Sequence, residues 1–330
     1  MRSLLRVLPL AALFTAASLH AAPPPPSAEE RAAFVAEVSR EHGIDAAAIE
    51  AMLGAAKYQQ SIIDAITRPA EAKPWKAYRP IFMTPQRIAD GRAFLAQHRA
   101  ALEKVEADTG VPKEIVVAIL GVETSYGRIT GSYRVLDALY TLAFHYPKRA
   151  PFFRSELMHV FPLARDEALD LSAIKGSYAG AMGWGQFMPS SYRAYARDGD
   201  GDGRRDLFGS LPDVFASVAN YFVAHGWQRG EPVIVPAVRA GDATPFKPES
   251  LEPAFTLPEL GERGYRPRVA VGHAAKATLV TLDGAQGEED WIAFKNFYVI
   301  SRYNRSPLYS LAVYQLSQAI AEPAPAAAAP

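Results

Sequence analysis

Four segments of the chain carry residues whose types and spacing could do chemistry. In Val116-Val117-Ala118-Ile119-Leu120-Gly121-Val122-Glu123, the residues Val116, Ile119, Leu120 and Glu123 stand at i, i+3, i+4 and i+7, on one helical face. A carboxylate is thereby set on the core-facing stripe near a helix end. Burial there disfavours the ionised form and raises the pKa, as a general acid requires. The pattern also fits a Glu paired with an Arg, or one reaching solvent from the last turn. Pro112 suits the first turn of this helix and Glu114 its positive end, and Gly127 is expected to stop it.

The second segment, Gly176-Ser177-Tyr178-Ala179-Gly180-Ala181-Met182-Gly183-Trp184-Gly185-Gln186-Phe187-Met188-Pro189, mixes glycines with aromatics, two methionines and an amide. Glycine lets a backbone approach a ligand closely, and aromatic faces and amides suit the ring faces and hydroxyls of sugars. A Gly-rich packing turn has the same composition. The third, Asp198-Gly199-Asp200-Gly201-Asp202-Gly203-Arg204-Arg205-Asp206, places oxygens at positions 1, 3, 5 and 9 and Gly at position 6 of an EF-hand-like calcium loop. Arg204, at position 7, would offer its backbone carbonyl. Gly209 stands at position 12 where a bidentate Glu is expected, and Asp213 could close a longer loop. An unliganded acidic turn is the alternative. The fourth segment, Ser301-Arg302-Tyr303-Asn304-Arg305-Ser306-Pro307-Leu308-Tyr309, precedes a final helical pattern.

These segments need elements to hold them. The 330 residues are 49% hydrophobic and 21% charged, enough for a substantial core and two or three domains. Lys plus Arg equal Asp plus Glu at 35 each, a balance that argues against nucleic acid as a partner. Arg2 and Arg6, the apolar run Leu8–Leu19 and small residues at Ala21 and Ala22 have the layout of a secretory leader over 1–22, too short to span a membrane. With no Cys, thiolate nucleophiles, Cys-held zinc and a lipidated N-terminal Cys are excluded, and no membrane anchor is expected in the mature chain.

The periodicity predicts a helical N-terminal domain over 23–107, opening on Pro23–Pro26. Ala32, Val35, Ala36 and Val38 are expected to line one helix, and Phe94, Leu95, Leu102 and Val105 another. Pro69, Pro74 and Pro80 are expected to break the pattern between them. A core follows over 108–229, with the acidic loop at 198–213. The β-branched runs Val233–Val235 and Thr278–Thr281 predict a small inserted β domain over 230–297. A C-terminal helix over 298–321, with Leu308, Leu311, Tyr314 and Leu316 on its apolar side, would return to the core, and 322–330 is an Ala/Pro tail expected to be disordered.

Taken together and in this order, the segments resemble the lytic murein transglycosylase B family, from about Tyr78 to Ala319. The resemblance implies a mainly α (α+β) fold, with a lysozyme-like catalytic core, a helical N-terminal domain, a small β domain and a groove between them. It implies a periplasmic enzyme, of the soluble branch, that acts on peptidoglycan glycan strands with Glu123 as sole acid/base. Ser177, Gln186, Tyr221, Tyr303, Asn304 and Tyr309 match positions lining the saccharide groove or the catalytic Glu, and Tyr78 and Arg149 match more loosely, at positions that would touch more distant sugars or the peptide stem. No organic cofactor is implied. A structural Ca2+ is expected from Asp198, Asp200, Asp202, Arg204, Asp206 and Asp213. Usual glycosidases use two carboxylates, and spacing alone leaves Asp166 or Glu167 open as a second acid, which the resemblance argues against. A muramidase using water would share every motif, and a silent wall-binding protein would lack Glu123.

Overall fold

The structure, a computed structural model, describes residues 23–68, 73–272 and 276–321. The expected leader, Pro69 and the Ala/Pro tail lie outside these residues. The described residues form fourteen α-helices and six strands.

The helix Lys113–Thr124 lies at the centre, with Ile115 through Gly121 all buried. The sequence predicted a single apolar stripe, but this helix is enclosed all round, as its run of consecutive apolar residues requires. Around it pack Pro85–Gln97, Arg99–Thr109, Leu211–Ala224 and the C-terminal helix Pro307–Ala321. Each branched side chain buried here contributes about 1.5–3 kcal/mol.

The helix stops earlier than expected. Ser125 caps it in the left-handed conformation (φ 50°), Tyr126 follows at φ 60° and Gly127 at φ 81°. Positive φ at a non-glycine residue costs about 1–3 kcal/mol, and the burial of the preceding turns offsets it.

The N-terminal part is helical, with three corrections. In Ala28–His42 the buried residues are Phe34, Val35 and Val38, whereas Ala32 and Ala36 are exposed. Pro80 does not break the chain but sits inside the helix Trp75–Phe82, which Pro74 caps. The Phe94–Val105 stretch is two helices, parted at His98.

Strands β1 (Tyr133–Arg134) and β2 (Lys175–Gly176) pair antiparallel near the end of the central helix. The β unit is a four-stranded antiparallel sheet of β3 (Ile234–Arg239), β4 (Tyr265–Pro267), β5 (Thr278–Gly284) and β6 (Gly287–Ala293), in the order β4-β3-β6-β5. It has its own small core around Leu260, Tyr265, Leu279 and Ile292. Trp75 Nε1 donates to Glu289 Oε2 at 3.2 Å, and Lys76 pairs with Asp283 at 3.2 Å, tying the helix Trp75–Phe82 to the sheet. A further helix, Lys295–Tyr303, runs from the sheet back to the core, and Pro307–Ala321 follows it. Among the described residues no helix is long and apolar enough to cross a membrane.

Candidate active site

Glu123 lies in the last turn of the central helix, partly exposed at its outer face. Tyr309, from the first turn of the C-terminal helix, donates its hydroxyl to Glu123 Oε1 at 2.5 Å. Burial pushes the Glu123 carboxyl up to about 7, and the Tyr309 hydrogen bond pulls the other way. No other carboxylate or cation among the described residues perturbs it. Glu123 as a residue is half-buried, and its carboxyl is desolvated by the protein around it, which gives the raised pKa that a general acid near neutral pH needs.

Two further tyrosines gather beside it. Tyr303 donates to Gly185 O at 2.5 Å, and its phenol is pushed well above its usual range by burial, then by the neighbouring Glu123 and Tyr221. Tyr221 donates to Arg302 O at 2.6 Å, with its ring 4.8 Å from that of Tyr303. Tyr78 stacks near Trp75 and Phe82 and lies close enough to raise the Tyr309 phenol. Asn304 is exposed, at the C-cap of the Lys295–Tyr303 helix.

The Gly-rich stretch forms the facing wall. Thr124 Oγ1 donates to Trp184 O at 3.0 Å and accepts from Gly127 N at 3.0 Å, joining the end of the central helix to this wall. A Cβ on Gly127 would meet the Trp184 ring at 2.3 Å, and one on Gly185 would stand 2.9 Å from the Tyr303 hydroxyl. Gln186 has φ 52° and donates its amide to Thr130 O and Gly183 O at 3.0 and 3.1 Å, so it braces the wall. Ser177 Oγ accepts from Ala179 N and Ala181 N and holds the turn. Arg149 lies over Phe152 at 4.3 Å and Phe153 at 5.2 Å, and nothing in the structure joins it to Glu123.

In the acidic loop, Asp198, Asp200 and Asp202 each offer an oxygen within 4.8 Å of the others. Asp206 and Asp213 do not join them. Asp206 turns back to accept from Phe208 N and Gly209 N. Asp213, buried, accepts from Gly199 N and Asp206 N at 2.7 Å each, closing the loop from beneath. Arg204 is exposed and its amide donates to Asp202 at 2.8 Å. An oxygen-only donor set of this spread suits a hard cation bound at roughly 2.3–2.6 Å.

Residues 27–318 match the Transglycosylase SLT domain family. The chain belongs to that family. It is 41% identical over 298 residues to membrane-bound lytic murein transglycosylase B of Escherichia coli strain K12, covering 87% of this chain and 81% of that protein. The structure of the catenated lytic transglycosylase SltB1 from Pseudomonas aeruginosa matches with TM-score 0.83 and 46% identity, covering 89% of this chain and 98% of that one. The Escherichia coli lytic transglycosylase Slt35 in complex with calcium matches with TM-score 0.80 and 41% identity, over 88% and 92% of the two chains. The mainly helical fold with small sheets is shared with these transglycosylases, as the expected lysozyme-like core requires.

Within this family member the two candidate second acids are committed elsewhere. Glu167 is paired with Arg205, and Asp166 with Arg165 at 2.8 Å. One contributor escaped the sequence reading. Arg87 Nη1 donates to Gly121 O at 2.8 Å and Nη2 to Ser125 Oγ at 3.2 Å, while Arg87 O accepts from the Tyr126 hydroxyl at 2.8 Å. It clamps the strained end of the helix that carries Glu123. Its two acceptors, one a backbone carbonyl and one a side-chain hydroxyl, lie 34 and 38 residues away, and no local spacing reports them.

Proposed function

We propose that the chain cleaves the MurNAc-β-1,4-GlcNAc bond of peptidoglycan and leaves 1,6-anhydroMurNAc ends. The observation that carries this reading is a carboxyl, Glu123, poised near neutral pH with a hydrogen-bond donor on it and, among the described residues, no second acid perturbing it. Protonated Glu123 donates to the glycosidic oxygen as the bond to muramyl C1 breaks, releasing the GlcNAc-side hydroxyl. The substrate's acetamido group stabilises the oxocarbenium-like centre. Ionised Glu123 then takes the proton of the muramyl C6 hydroxyl while that oxygen bonds to C1. The carboxyl is protonated again at the end, and no water is consumed. Tyr309 steadies the carboxylate between the two transfers.

Tyr303, Tyr221, Asn304, Gln186 and Ser177 are assigned to the saccharide groove, Gln186 and Ser177 by fixing its wall. Tyr78 is assigned to a more distant sugar, and Arg149 with its phenylalanine platform to an outlying part of the strand. Asp198, Asp200 and Asp202 would hold a calcium ion, which would neutralise three crowded carboxylates and stiffen the loop. The 1–22 leader would send the chain to the periplasm, where its glycan substrate is.

The test is digestion of purified peptidoglycan by the wild-type chain and by Glu123→Gln. The wild type should release soluble fragments, whereas the variant should keep its fold and glycan binding and lose turnover by about a thousandfold or more. Near-wild-type release by the folded variant would move the acid elsewhere.

A further inference from the structure

Glu156, in the helix Ala150–Asp166, is a buried carboxyl that the proposed proton transfers leave unused. Burial pushes this carboxyl up from its ordinary value. It forms no ion pair among the described residues, so no opposite charge offsets the cost of burying it. Both of its oxygens serve one residue. Ser190 Oγ donates to Oε1 at 2.7 Å, and Ser190 N donates to Oε2 at 2.9 Å.

Ser190 stands where the Gly-rich wall ends. The short helix Pro189–Tyr195 begins there, with Met188 at its N-cap and no side-chain cap of its own. Met188 has no oxygen to offer the first free amides, so Glu156 reaches over from the neighbouring helix and takes that of Ser190. The other holds on the wall come earlier in the chain, from Thr124 on Trp184 O and from Gln186 on Thr130 O. Between these holds and Ser190 lie the two wall residues that meet Tyr303. Gly185 O accepts its hydroxyl, and the Phe187 ring packs edge-on 5.8 Å from its ring.

We propose that Glu156 is a positioning residue for glycan binding: through Ser190 it fixes the far end of the Gly-rich wall, and so sets the Gly185 carbonyl and the Phe187 ring that hold Tyr303. The assignment rests on the proposed action on peptidoglycan, in which Tyr303 belongs to the saccharide groove. Glu156 does not perturb the Glu123 carboxyl. Its loss therefore acts on how tightly the groove takes the glycan, and not on proton transfer.

The test is steady-state kinetics of the full chain on soluble, uncrosslinked glycan strands, with a melting curve for each variant. Glu156→Ala leaves the Ser190 amide unpaired and should raise KM about tenfold, with kcat changed by less than about threefold. Glu156→Gln should recover most of the loss, because its carbonyl can accept from Ser190 N while its amide donates to Ser190 Oγ. Ser190→Ala forfeits one of the two bonds and should raise KM about threefold; it decides the matter if Glu156→Ala does not fold. His159→Ala is the control. Arg193 Nη1 donates to His159 Nδ1 at 2.8 Å between the same two helices, one turn beyond Ser190. Losing that contact should lower the melting temperature and leave KM unchanged. An unchanged KM in folded Glu156→Ala or in Ser190→Ala would overturn the assignment. So would a KM raised equally by His159→Ala, which would make the effect one of general helix packing. If the wild-type chain releases nothing, the functional reading falls and the assignment falls with it. Wild-type turnover with unaltered KM in the variants removes the assignment alone.

Discussion

The Tyr309 hydroxyl stands 2.5 Å from Glu123 Oε1, reaching across from the C-terminal helix to the last turn of the central one. A phenol is a donor to a carboxylate at any pH below its own ionisation, and burial keeps Tyr309 protonated well beyond the usual range. The pair therefore holds the carboxyl at one place in both of its protonation states.

This hydrogen bond favours the ionised form, against the burial that raises the Glu123 carboxyl to about 7. In the wild type, kcat/KM should be high below pH 7 and fall as Glu123 loses its proton. Tyr309→Phe should move that fall upward by about one pH unit and lower kcat about tenfold or more. A pH profile of fragment release checks both. An unmoved limb would mean that the hydrogen bond is not made in the working enzyme.

The same shift has a cost in stability. A Glu whose folded value lies near 7 and whose unfolded value lies near 4.5 is bound to its proton more tightly in the folded chain. Stability from this group is therefore full below pH 4.5 and declines as pH rises towards 7. The loss is on the order of 3 kcal/mol once both states are ionised. Glu123→Gln removes the ionisation, so its melting temperature should exceed that of the wild type at pH 8 and approach it at pH 4.5. Thermal unfolding at the two pH values measures the difference.

Arg87 acts on the backbone that presents Glu123 and makes no contact with the carboxyl, so its loss should not shift the pH profile. Arg87→Ala forfeits charge-assisted hydrogen bonds to Gly121 O and Ser125 Oγ, at about 2 kcal/mol of stability. It should also lower kcat, with KM little changed. Arg87→Lys, able to make one bond but not the fork, should recover part of the loss. Kinetics across the pH range, with a melt of each variant, separates positioning from titration.

Calcium should raise the melting temperature, because an ion bound to the folded loop alone adds about 2.7 kcal/mol at a hundredfold excess over its Kd. Asp200→Asn should weaken this response. Asp213→Asn should lower stability with or without calcium, since the buried Asp213 carboxylate serves Gly199 N and Asp206 N. Melting curves with added calcium and with chelator distinguish the two roles. A melt indifferent to both additions would make the loop an unliganded turn.

The position of Glu123 was readable because a helical period and a carboxylate coincide within eight residues. Enclosure of that helix on every side was not, since it depends on which distant helices pack there. The β unit was readable from β-branched runs at Val233–Val235 and Thr278–Thr281, whose strands do form. The single C-terminal helix expected over 298–321 is two, Lys295–Tyr303 and Pro307–Ala321: Asn304 leaves the helix in an extended conformation, and Pro307 opens a new helix instead of continuing the first. Tyr303 and Tyr309 looked alike in sequence. In the fold, one hydroxyl meets a backbone carbonyl and the other the carboxyl. Ser177 and Gln186 match groove-lining positions of the family, yet the polar bonds they make here fix the wall itself, which spacing alone does not distinguish.

The central claim is that one carboxyl both protonates the leaving oxygen and activates the muramyl C6 hydroxyl. Mass spectrometry of the fragments released from purified peptidoglycan tests it most directly. The account predicts products lighter by one water than hydrolysis products, with ends that borohydride does not reduce. Full-mass, reducible ends would contradict it, and would require a water-activating base that the described residues around Glu123 do not provide.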